Sequence, residues 1–245
     1  MTLSRRIART GGSVRRRGRR DRRDRPVSVV RMAADLEFFI DPVCPWCWIT
    51  SRWVLEVQHK RDYEVTWRFI SLKIINVQNT AEWYTPDYKA GHMAGLRGLR
   101  VADAIRLAHG NDAVDAFYTA LGRRIHVDRR GGAELREKWA ELIAEALAET
   151  DLDASLLDEA ENDAHDEYLR SETAIAFSRT GKDVGTPILT FHPGAENEGS
   201  FFGPVIAKAP RGDDAVRLWD AIELIATTSG VAELKRSLRA RPEFD

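Results

Sequence analysis

Cysteine is scarce in this chain: 245 residues contain two, Cys44 and Cys47, three positions apart. A structural zinc site normally takes four ligands, and none of the six histidines lies at a spacing that completes one around this pair. Long apolar runs are missing as well, which excludes a membrane-spanning helix. The basic N-terminal stretch is followed only by the short apolar segment Val27 to Val30. A twin-arginine signal would need an apolar core of about 7 to 15 residues there. A cytoplasmic location is therefore expected, and in that compartment a C-x-x-C pair is catalytic more often than structural.

What is present divides sharply by charge. Residues 1–25 hold eleven arginines and two aspartates, a local charge of +9, so the net charge of −1 leaves about −10 for the rest. Almost no apolar residue interrupts the arginines, and residues 1–34 are expected to be a disordered tail. Two readings of it stay open. It is an arm for anionic surfaces or nucleic acid, or it is no part of the working protein, with translation starting at Met32. The remainder, with its ordinary apolar content, is long enough to bury a substantial core as one domain or one domain with an insertion.

The cysteines stand in Asp41-Pro42-Val43-Cys44-Pro45-Trp46-Cys47-Trp48. Leu36 to Ile40 is an apolar run of strand length, Asp41-Pro42 is turn chemistry, and Ile49, Trp53 and Val57 recur at helical spacing. The pair thus falls where a strand turns into a helix. Unpaired N–H groups and the positive dipole end at a helix N-terminus favour thiolate over thiol. Cys44 reads as an exposed nucleophile and Cys47, one turn on, as the resolving thiol. Pro45 suits the first helical position.

Val65, Trp67 and Phe69 alternate as in a strand, and strand-helix-strand with this crossover implies a parallel β-α-β unit. From about Ile75 to Gly181 the apolar period becomes helical, as in Val114, Phe117, Tyr118, Leu121 and Ile125 and again in Leu135, Trp139, Leu142 and Ile143. Ile188 to Phe191 and Gly199 to Gly203 then read as a hairpin, and Asp213 to Thr228 as a closing helix. The sum is an α/β fold, a thioredoxin-like (DsbA-type) domain with a large inserted α-helical subdomain. Residues 35–75 and 182–245 form the domain and residues 76–181 the insertion. In such folds a cis proline lies against the redox pair, an arrangement that Thr186-Pro187 resembles.

The order and spacing of DPVCPWCWITSRW (41–53), Ser71 to Asn76, Arg124-Ile125-His126, DVGTP (183–187), FFGPV (201–205), Pro210-Arg211-Gly212, Leu218 to Ala221 and PEFD (242–245) resemble the mycothiol-dependent nitroreductase family of actinobacteria. The resemblance spans about residues 35–245. It implies a flavin-free reductase with no tightly bound cofactor and no metal. Its dithiol would be kept reduced by the low-molecular-weight thiol mycothiol, itself recycled by an NADPH-dependent disulfide reductase. Small-molecule or protein disulfides and nitroaromatic compounds are the implied substrates. Nucleic acid and membranes are not expected partners.

Carried onto this chain, the resemblance implies Cys44, Cys47, Thr186 and Pro187 as catalytic residues and Trp46, Asn76, Tyr88 and His126 as substrate contacts, the last two reaching over the dithiol from the insertion. Trp46 reads otherwise as packing, Asn76 as a turn or cap residue, and His126 as a proton donor or a satisfied histidine. Asp41 and Glu37 are the candidates for a buried acid that deprotonates Cys47. Two other functions share the scaffold, a kappa-type thiol transferase or isomerase that would not need Cys47, and a redox-sensing binding protein.

Overall fold

The computed structural model describes residues 34–244; the arginine-rich tail falls, apart from Ala34, outside them. The strands β1 (Leu36–Ile40), β2 (Val65–Phe69), β3 (Ile188–Phe191) and β4 (Gly199–Phe202) form one sheet in the order β2-β1-β3-β4. β1 and β2 run parallel, whereas β3 lies antiparallel to both β1 and β4. Helix α1 (Pro45–Gln58) is the crossover from β1 to β2, long enough to return the chain to a parallel start. The hairpin and α7 (Gly212–Thr227) close the domain, which is thioredoxin-like.

Alternation along β1 sorts its side chains between two layers. Leu36, Phe38 and Ile40 join Trp53 of α1 and Trp219 of α7 in the main core. The Trp53 indole donates to the Ala215 carbonyl at 2.9 Å, so α1 and α7 are tied together beneath the sheet. Phe39 points the other way, into a smaller cluster with Ile70, Ile188 and Ala176 of α6 (Asp166–Thr180). Glu37 shares that second face. It pairs with Arg68 at 2.9 Å and with Arg179.

Between β2 and β3 the chain is helical. After the short α2 (Leu72–Ile75) come α3 (Pro86–His109), α4 (Asn111–Gly122), α5 (Ala133–Glu149) and α6. α4 continues into a π-helical turn, Arg123–Val127. Asn111, at the start of α4, closes the free edge of β2: its side chain accepts from Trp67 N–H at 2.8 Å and donates to Trp67 O at 2.9 Å. At Trp67 the edge strand's outward backbone groups are therefore already paired.

Helix α3 packs on the loop joining β1 to α1. A Cβ on Gly95 of α3 would sit 2.9 Å from Val43 Cγ2 and 3.1 Å from Asp41 Oδ1. The glycine lets α3 lie directly on the loop that carries the cysteines. No helix among the described residues is long and apolar enough to cross a membrane.

Candidate active site

Both cysteines carry free thiols. Cys44 is the N-cap of α1, with φ −79° and ψ 113°, and its sulfur accepts the Cys47 N–H at 3.4 Å. Pro45 follows as the first helical residue, where no N–H is needed. Across the fold, Thr186 Oγ1 lies 3.0 Å from Cys44 Sγ, and the Thr186-Pro187 peptide is cis. Two segments 142 residues apart in sequence therefore meet on one sulfur atom.

Cys44 is only 3% exposed, which corrects the expectation of an exposed thiol. A helix N-terminus in isolation presents its cap to solvent, but here buried Thr186 lies against the sulfur. Burial by itself pushes the Cys44 thiol up. Hydrogen bonds with the Cys47 thiol, Thr186 Oγ1 and the Cys47 N–H outweigh it and hold the pKa below the ordinary cysteine value, against the charge of Asp41. Cys47 behaves oppositely. Burial, its hydrogen bond to Cys44 and the Cys44 charge push it well above the ordinary value. Its sulfur points at the Phe39 carbonyl, 3.9 Å away. The arrangement can ionise one thiol while its neighbour keeps its proton.

Asp41 is fully buried, and burial raises its pKa to about 6 against two backbone hydrogen bonds. Oδ2 accepts Leu72 N–H at 2.8 Å and Oδ1 accepts Val43 N–H at 2.9 Å. Its charge acts on both thiols. Glu37, the other acid considered, belongs to the ion-pair layer on the far face of β1 with Arg68 and Arg179.

The remaining sequence-derived residues lie on four separate elements: α1, the end of α2, α3 and the π-helical turn. Trp46 is half-buried in the first turn of α1. Asn76 caps α2, its side-chain amide donating to the Leu72 carbonyl at 2.9 Å and its oxygen accepting from Asn79. Tyr88, in the first turn of α3, is 54% exposed and makes edge contacts with Trp83 at 5.8 Å and His92 at 6.2 Å. His126 is buried in the π-helical turn. Its Nε2–H donates to the Pro42 carbonyl at 3.0 Å, so it touches the dithiol loop rather than a sulfur. Burial lowers its pKa to about 4, the Pro42 bond opposing and the Arg52 charge reinforcing the shift, and the ring is neutral near pH 7.

The supporting residues were harder to see from sequence. Trp48, buried on α1, has the Arg52 guanidinium 4.1 Å from its ring centroid and stacks on His126 at 5.7 Å. Gly122 makes that packing possible, since a Cβ there would come within 2.4 Å of the Trp48 ring. Glycines at 95 and 98 in an otherwise helical stretch were the available signal for a close approach by α3. Among the described residues no group of three or more histidine, cysteine or acidic side chains could hold a metal ion.

Comparison with known proteins adds a family and a fold. The Rv2466c-like family model, described as mycothiol-dependent nitroreductase Rv2466c, matches residues 43–236. The uncharacterized protein Rv2286c of Mycobacterium tuberculosis is 28% identical over 204 residues, covering 82% of this chain and 81% of its own. Among solved structures, the cytosolic disulfide reductase DsbM from Pseudomonas aeruginosa aligns with a TM-score of 0.52 at 14% identity, over 77% of this chain and 98% of that one. At that identity the likeness is one of fold.

Proposed function

The chain belongs to the Rv2466c-like family of mycothiol-dependent nitroreductases, and on that premise we propose that this oxidoreductase is a two-cysteine thiol-disulfide reductase that draws its electrons from mycothiol. The observation that carries the reading is the Cys44 sulfur, held at once by the Cys47 N–H and Thr186 Oγ1.

With a disulfide substrate the Cys44 thiolate attacks one sulfur, forming a mixed disulfide and expelling the other half as a thiolate. Thr186 donates to the thiolate and Pro187 stands beside it. Cys47 then passes its proton to the Asp41 carboxylate and attacks Cys44 Sγ. The second half leaves, and the Cys44–Cys47 disulfide holds the two electrons' worth of oxidation. Two mycothiol molecules reverse it, one forming a mixed disulfide and the second releasing mycothiol disulfide. A nitroaromatic would accept the same two electrons with two protons, giving the nitroso compound and water. Trp46, Asn76, Tyr88 and His126 are the proposed substrate-side residues, and a cytoplasmic location fits a reduced dithiol.

The test is NADPH consumption by the purified protein with mycothiol and its disulfide reductase, offered a nitroaromatic or a mycothiol mixed disulfide, with glutathione as control. Turnover that requires both Cys44 and mycothiol is expected. Equal turnover with Cys44→Ser, or none with any thiol, contradicts the reading.

A further inference from the structure

Among the described residues, those beyond α7 carry no helix or strand, and Leu234 and Leu238 are 76% and 87% exposed. Such a segment makes little packing of its own, yet its far end is fixed. The Glu243 N–H donates to the Ala207 carbonyl at 2.7 Å, Glu243 pairs with Lys208 at 3.2 Å, and the Phe244 ring lies 5.4 Å from the His126 ring at 32°.

Both anchor points touch the dithiol's surroundings. Ala207 belongs to the loop after β4, whose Gly203 N–H donates to the Pro187 carbonyl and whose Pro204 carbonyl accepts from Thr50 of α1, each at 2.9 Å. His126 belongs to the insertion and donates to the carbonyl of Pro42, two residues before Cys44. Arg52, Trp48, His126 and Phe244 form one continuous stack, with Phe244 its most exposed ring, at 36%. Ring pairs of this geometry contribute beyond the area they bury.

We propose that Phe244 is a positioning residue for the dithiol, acting through His126: its ring holds the imidazole against Trp48, and the imidazole holds the Pro42 carbonyl and the loop that presents Cys44. The C-terminal segment is then a clip joining the helical insertion to the sheet domain beside the site. The proposal rests on the reading of Cys44 as the ionised thiol. Without the ring, His126 loses one of its two stacking partners, the Asp41-Pro42-Val43 loop loosens, and the covered sulfur opens to small reagents.

The experiment is the rate of iodoacetamide alkylation of Cys44 in the reduced full-length protein, located by peptide mass, for wild type, Phe244→Ala, Phe244→Leu and Phe244→Tyr, each also in a His126→Ala background. Alkylation needs a reachable thiolate but no turnover, so it is independent of the electron donor. Phe244→Ala and Phe244→Leu should react about fivefold faster, the order implied by losing one stacked ring pair. Phe244→Tyr should behave as wild type, and no substitution at 244 should add to the effect of His126→Ala. A wild-type rate in Phe244→Ala overturns the proposal, as does an equal acceleration with and without His126. Wild-type Cys44 alkylating no faster than Cys47 would instead overturn the reading of the site, and the proposal with it.

Discussion

Thr186 Oγ1 and Cys44 Sγ lie 3.0 Å apart, and this is the contact by which the second half of the sheet domain reaches the helix cap built by the first. It makes the ionisation of Cys44 a tertiary property. A hydrogen bond to a charged group contributes about 1.5 to 3 kcal/mol, or about one to two pKa units. Thr186→Val should therefore raise the Cys44 pKa, read from thiolate absorbance near 240 nm against pH. An unchanged titration would mean that the helix N-terminus suffices.

Asp41 and His126 should impose opposite pH dependences on stability. Asp41 has its folded pKa raised from 3.8 to about 6, so the native state binds the extra proton and stability falls as pH rises between those values. His126 has its folded pKa lowered from 6.5 to about 4; there the unfolded state binds the extra proton and stability is lost as pH falls through that window. Each effect is of the order of 3 kcal/mol over its full range, and the two largely offset each other. Asp41→Asn should expose the histidine slope, with stability rising from pH 4 to 6.5. His126→Gln should expose the opposite one. Urea unfolding across pH 4 to 7 reads both, and parallel profiles for the two variants would count against these assignments.

Gly122→Ala would put a methyl carbon into the Trp48 ring, a rigid neighbour. Overpacking of this kind costs about 1 to 3 kcal/mol, so a lowered denaturation midpoint with unchanged cooperativity is expected. Gly95→Ala meets the Val43 side chain and Asp41 instead. It should disturb the reactivity of Cys44 more than it lowers the midpoint, because what must move is the dithiol loop. Equal effects of the two substitutions on both readouts would argue against this division.

The fold was largely legible because its signals are local. Alternation in Val65, Trp67 and Phe69, the helical spacing after Cys47 and the turn residues flanking β3 and β4 each act within a few residues. α3 was less legible, since its glycines break the apolar stripe that marks a helix, and their purpose appears only where Val43 and Asp41 pack on Gly95. Sequence could not say whether Glu37 or Phe38 faces the α1 core: both faces of the central strand β1 are covered, so alternation loses its usual meaning. The covered state of Cys44 involves Thr186, far along the chain, and His126 meets Pro42 from a π-helical turn that is likewise distant in sequence.

The central claim is that Cys44 attacks and Cys47 resolves. The most direct measurement is intact-mass and peptide analysis of Cys47→Ser after exposure to mycothiol disulfide. One mycothiol bound through a disulfide to Cys44, stable until a reductant is added, is the result expected. No adduct on Cys44, or full multiple-turnover activity without Cys47, would contradict it, the second outcome pointing to a transferase that needs only one thiol.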